Sequence, residues 1–133
     1  MRHQYDAETH FIRVSVEPSY LEDQSSPEED YYVWSYKVII ENHGGNTVQL
    51  RNRHWRIVDG LGRTQEVHGE GVVGEQPVLG PGDRFEYTSG APLNTPSGIM
   101  GGTYQVSTEE GDLLDVIIPA FSLDSPYASR TVN

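Results

Sequence analysis

The segment Tyr31-Tyr-Val-Trp-Ser-Tyr-Lys-Val-Ile-Ile-Glu41 restricts the fold of this chain more than any other. Aromatic and β-branched residues dominate it, and these fit a pleated, half-buried surface. Tyr32, Trp34, Tyr36, Val38 and Ile40 fall on one face at period two. A strand with one such face needs a second layer to cover it. Phe11–Glu17 repeats the pattern, with Ile12, Val14 and Val16 on one side. No segment keeps a 3.6-residue apolar period between helix caps for long enough to form a stable helix.

Turn signals divide the rest. Pro18 to Asp30 holds two prolines and reads as a long acidic loop. Asn42-His-Gly-Gly-Asn46 reads as a hairpin turn, its glycines supplying positive φ angles. Val48–Asp59 is then the return strand, and Asp59-Gly60-Leu-Gly62 turns the chain again into a short strand, Thr64–His68. Gly69 to Gly82 is a glycine-proline loop with a brief apolar piece at Val78-Leu79. Asp83–Ser89 alternates around Phe85 and Tyr87, and Gly90–Pro96 reads as a loop. Ile99–Thr108 and Leu113–Ala120 form a final hairpin across Glu109–Asp112. About seven strands at this spacing predict an all-β immunoglobulin-like or fibronectin type III-like β-sandwich, with a small barrel as the second choice. The 133 residues suit one domain, 1–133, with a core over about 11–126 and mobile termini, including the tail after Phe121.

Composition narrows the function. Without cysteine there are no disulfides, thiolate nucleophiles or zinc–thiolate sites. No apolar run approaches the roughly 20 residues of a membrane helix. The N-terminal MRHQYDAETH lacks the apolar stretch of a signal peptide. The expectation is a cytoplasmic protein with no membrane insertion. A net charge of −11 argues against nucleic acid as a partner, because phosphate neutralisation needs many cations. The charge is uneven. Glu17 to Asp30 contains six acids and no base, whereas Arg51, Arg53, Arg56 and Arg63 cluster together.

Several ordered motifs resemble the bacterial ApaG family. They are Arg51-Asn-Arg-His-Trp-Arg-Ile-Val-Asp59, Val67-His-Gly-Glu-Gly-Val-Val-Gly-Glu-Gln-Pro77 and Leu79-Gly-Pro-Gly82, then Tyr87-Thr-Ser-Gly90, Gly98-Ile-Met-Gly-Gly-Thr-Tyr104 and Ile118-Pro-Ala-Phe-Ser-Leu123. The likeness runs from Phe11 to Pro126. It implies a fibronectin type III-type sandwich, a genetic association with cobalt resistance and magnesium efflux, and a gene near diadenosine tetraphosphate hydrolysis. It also implies a relation to modules of eukaryotic F-box proteins and of a polymerase-delta-interacting protein, where the domain makes protein contacts. It implies no biochemical activity.

The residues themselves offer three kinds of chemistry. Gly69-Glu-Gly-Val-Val-Gly74 matches G-x-G-x-x-G, but no helix pattern follows to hold a pyrophosphate, so a dinucleotide fold is not expected. Its backbone N–H groups, with the nearby arginines, offer a site for a small anion such as phosphate or pyrophosphate, although Glu70 and Glu75 oppose it. The plainer reading is that the glycines serve tight turns. For metals, His43, His54 and His68 are the candidates. None has metal-ligand spacing along the chain, and His54 and His68 meet only if their strands are neighbours. No nucleophile elbow occurs. No metal site, cofactor or catalytic residue is therefore assigned, and a metal-dependent phosphoester hydrolase ranks last. Trp55 is read as core, on one face with Arg51, Arg53 and Ile57. The favoured function is a non-enzymatic protein-interaction domain with an unidentified protein partner. Its expected surface comprises Arg51, Arg53, Arg56, Arg63, His68, Gly69, Gly71 and Gly74, away from the acidic loop.

Overall fold

A computed structural model describes residues 4–128. Nine strands form two antiparallel sheets. They are β1 (Tyr5–Thr9), β2 (Ile12–Tyr20), β3 (Tyr32–Asn42), β4 (Val48–Asp59), β5 (Thr64–Glu70), β6 (Val78–Leu79), β7 (Arg84–Leu93), β8 (Ser97–Thr108) and β9 (Leu113–Asp124). One sheet has the order β1-β2-β3-β7. The other runs β5-β4-β8-β9, with β6 also paired to β4. The architecture is the expected sandwich. The two strands beyond the expected seven are β1 and the two-residue β6. Helical structure among the described residues is confined to single 3₁₀ turns at Glu22–Gln24 and Pro27–Glu29. No helix among them is long and apolar enough to cross a membrane.

The alternating face of β3 enters the core as read: Tyr32, Trp34, Tyr36, Val38 and Ile40 are all buried. They meet Leu50, Trp55, Met100, Tyr104, Ile118 and Phe121 from the other sheet. Trp34 is 1% exposed and donates its indole N–H to the Asp124 carbonyl at 2.9 Å. Trp55 is core as expected, packed against Tyr36 with ring centroids 5.2 Å apart.

Several loop assignments change. The strand expected to end at Glu17 continues through Pro18 to Tyr20. Strand β1 covers β2 only opposite Ile12 to Val16, so at Pro18 no outer neighbour requires an N–H. Asn42–Asn46 is not a hairpin turn. β3 and β4 lie in different sheets, so this segment is a crossover. Gly44 and Gly45 are not among the positive-φ glycines. The buried Asn42 side chain shapes the crossover: it accepts from the Gly44 N–H and donates to the carbonyls of Asn46 and Leu79. Gly90–Leu93 belongs to β7 rather than to a loop, because the long β3 offers partners as far as Tyr32. The last strand runs past Phe121 to Asp124. The tail expected to be mobile lies, from 129 onward, outside the described residues.

The sandwich closes differently along its two sides. On one, Tyr5 packs on Phe121, and the Thr9 hydroxyl accepts from the Ile117 N–H. On the other, β5 and β7 are both edge strands with a cleft between them.

Candidate functional site

The site begins with an irregularity in β4. Val48 and Leu50 point into the core, and so does Trp55. An odd spacing of five cannot hold in a regular strand, where alternate residues share a face. The register against β8 slips between Leu50 and Asn52: Leu50 pairs with Val106 and Asn52 with Gln105, leaving Arg51 as the extra residue of a bulge. Asn52, His54 and Arg56 therefore face outward, and Arg53 shares the inward side with Trp55.

The bulge anchors the glycine loop. Arg51 accepts at its carbonyl from the Gly71 N–H (2.8 Å) and from the Gln76 side chain (3.0 Å). Its own Nε donates to the Ser107 hydroxyl at 2.9 Å. Arg53 grips the same loop, one guanidinium nitrogen donating to the carbonyls of Glu70 and Gly71 at 2.9 Å each. The guanidinium lies over Gly69, where a Cβ would stand 2.7 Å from its carbon and both terminal nitrogens. Gly71 has φ +64°, and a Cβ there would meet the Glu75 carbonyl at 2.2 Å. Gly71 is required sterically, as the plainer reading of the motif held, whereas at Gly69 a side chain would have only the flexible end of Arg53 to displace.

The loop tip is a two-residue turn. Val72 and Glu75 exchange backbone hydrogen bonds at 2.8 and 2.9 Å. Val73 and Gly74 both have positive φ, at 43° and 81°, as a type I′ turn requires. Val72 is fully buried and plugs the loop into the core. Val73 is 55% exposed, and a β-branched residue at positive φ is strained. The N–H groups of Gly71, Val72 and Glu75 are thus all donated within the chain.

Of the eight expected surface residues, the structure gathers Arg51, Arg53, His68, Gly69, Gly71 and Gly74 around this loop. Arg56 stands on the outer face of β4, opposite Glu66 of β5. Arg63 lies at the other end of the β4–β5 hairpin, where it donates to Asp59 at 2.8 Å. The acidic segment is at that far end too, since Tyr31 and Arg63 line one opening. Arginine clustering along the sequence did not become clustering in space.

Two other features escaped the sequence reading, and a third had been raised there only conditionally. A cleft of about 280 Å³ opens between β5 and β7, floored by Tyr36, Trp55, Ile57 and Met100 and walled by Val67 and Pro92, with Arg53 at its mouth. Deeper in the core, the hydroxyls of Tyr87 on β7 and Tyr104 on β8 hydrogen-bond across the two sheets. Burial holds both phenols above their ordinary pKa, and the neighbouring hydroxyl adds to the rise at Tyr104. On the outer face, His54 and His68 stand opposite one another in register, with rings stacked at 4.0 Å. The condition set by the sequence reading is met, since β4 and β5 are neighbours.

Comparison with known proteins places this arrangement in context. The family model described as ApaG domain matches residues 22–108. The chain is 60% identical over 129 residues to Protein ApaG of Parvibaculum lavamentivorans, covering 97% of this chain and 99% of that protein. Protein ApaG of Rhodopseudomonas palustris (strain TIE-1) is also 60% identical over the same shares. Among solved structures, an ApaA protein from Bordetella pertussis superposes with a TM-score of 0.85 at 50% identity, covering 88% of this chain and 95% of that one.

Proposed function

The chain belongs to the ApaG family, and from that premise we propose that it is a non-enzymatic protein-interaction domain that meets its partner through the Gly69–Pro77 loop. One observation carries this reading. Val73 is held in a left-handed conformation, with its apolar side chain exposed, at the tip of a loop fastened by Arg51, Arg53 and buried Val72. Strain and solvent exposure at one apolar residue both oppose stability, and such residues gather where a surface is kept for contact. The cleft between β5 and β7, which shares Arg53 with the loop's fastening, adds apolar area of the kind found at the centre of interfaces. Family resemblance links the protein to cobalt resistance and magnesium efflux, and on this reading that link acts through the bound partner. The small-anion reading has less support, because the loop donors at Gly71, Val72 and Glu75 are already engaged.

The test uses the partner captured from the native cell by the wild-type chain. Val73→Asp should abolish capture and leave the urea midpoint unchanged or higher. A triple variant of the acidic segment, Glu28→Gln, Glu29→Gln and Asp30→Asn, should capture normally. If only the acidic variant loses the partner, the surface has been placed at the wrong end of the sandwich.

A further inference from the structure

We propose that the outer face of the β4–β5 hairpin is a binding site for a divalent transition-metal ion of the zinc class, held by His54, His68 and Glu66. His54 on β4 and His68 on β5 are directly opposed in register. Glu66 lies two residues before His68 and so shares its face. Opposed residues on one face have Cβ atoms about 4.5–5.5 Å apart, and diagonal neighbours are within reach of long side chains. The geometry realises this. The imidazole centroids are 4.0 Å apart with planes only 10° from parallel. His54 Nε2 lies 2.7 Å from a Glu66 carboxylate oxygen. One ligand atom from each of the three residues falls within 4.8 Å of the other two.

A zinc ion takes imidazole nitrogen and carboxylate oxygen at about 2.0–2.2 Å, which puts its ligand atoms roughly 3.3 Å apart in a tetrahedron. Closing from the observed spacing needs side-chain rotation only. All three side chains stand on a paired, rigid hairpin and are partly exposed, so an ion enters without backbone movement and keeps a position for water. The set has two nitrogens and one oxygen, which favours zinc, nickel or copper over the hard cation magnesium. The surroundings are acidic. The groove that holds both histidines, about 470 Å³, is also lined by Glu70 and Asp115. Two cations stand close by: Arg53 also lines the groove, and Arg56 is opposite Glu66 in register. As a stabilising contact alone the arrangement gains little, because both side chains remain open to solvent.

The experiment titrates Zn²⁺ into the untagged 133-residue chain, followed by calorimetry and by the imidazole ¹⁵N resonances. One ion per chain should bind, shifting the side-chain signals of His54 and His68 together. Loss of an outer-shell partner costs a metal site about 10- to 100-fold in affinity, so His54→Gln and His68→Gln should each cost at least that. Glu66→Gln should weaken binding while both imidazoles still shift. His43→Gln is the control, since His43 faces Glu8 and Glu41 elsewhere on the surface, and it should bind zinc as the wild type does. Excess Mg²⁺ should not displace the zinc. Each variant is checked for an unchanged urea midpoint. Absence of saturable binding would overturn the proposal, as would binding that survives in the His54→Gln/His68→Gln double variant or is lost in His43→Gln.

Discussion

Removing the hydroxyl of Tyr104 should cost more than removing it together with that of Tyr87. The two phenols face each other across the sandwich, Tyr104 fully buried and Tyr87 8% exposed, and they hydrogen-bond. Tyr104→Phe leaves Tyr87 with a buried, unpaired hydroxyl, which costs about 1–3 kcal/mol. Tyr87→Phe strands the other hydroxyl with a similar penalty. Replacing both partners by apolar groups of the same shape is nearly neutral. With a urea m-value of about 2 kcal/mol/M, a loss of about 2 kcal/mol moves each single variant's midpoint down by roughly 1 M. The double variant should return most of the way. Two-state urea unfolding, followed by tryptophan fluorescence, gives the four corners of the cycle. A double variant whose loss equals the sum of the singles would refute the reasoning, since it would leave no coupling between the hydroxyls. The same pair sets an alkaline limit. Both phenols titrate above the usual value of about 10 when folded, so their contribution is complete below pH 10 and is lost as pH rises beyond it. The double variant should show a flatter decline of stability above pH 10 than the wild type.

Two further substitutions test the packing. Trp34→Ala removes a ring packed edge-on against Tyr20 at 5.4 Å and strands the Asp124 carbonyl, so it should cost roughly 3–5 kcal/mol or more; an unchanged denaturation midpoint would contradict its place in the core. Gly102→Ala would set a Cβ 1.9 Å from the His54 carbonyl oxygen and force β8 away from β4, with an expected loss of about 2 kcal/mol or more. A melting temperature equal to that of the wild type would show that the strands have room to separate there.

Much of the fold was legible because single strands carried their own evidence. Trp34 and its neighbours declare a buried face through local alternation, and the structure agrees residue by residue. What was not legible depends on which strands become neighbours. Asn42–Asn46 has the composition of a hairpin turn but crosses between sheets, a choice made by β4 pairing with β8. Pro18 looks like a strand terminator and is tolerated because β1 stops short of it. The turns of the glycine loop were legible in Gly71 and Gly74, whose positive φ angles match the reading of these glycines as turn residues. The arginines misled because alternation and the hairpin separate residues that are close in sequence: Arg53 turns inward, Arg56 outward, and Arg63 pairs with Asp59 at the far end. The opposition of His54 and His68 was foreseen only on the condition that their strands be neighbours, because no single strand reveals the register.

Arg51 gives the bulge a meaning at the level of the gene. Take this one codon away and β4 becomes an unbroken alternating strand: Val48, Leu50, Trp55 and Ile57 still share a side, and Leu50 and Asn52 still oppose Val106 and Gln105. The carbonyl that receives Gly71 and Gln76 would be gone. A single in-frame deletion therefore separates the alternation of the strand from one fastening of the loop, while Arg53 and buried Val72 still hold it.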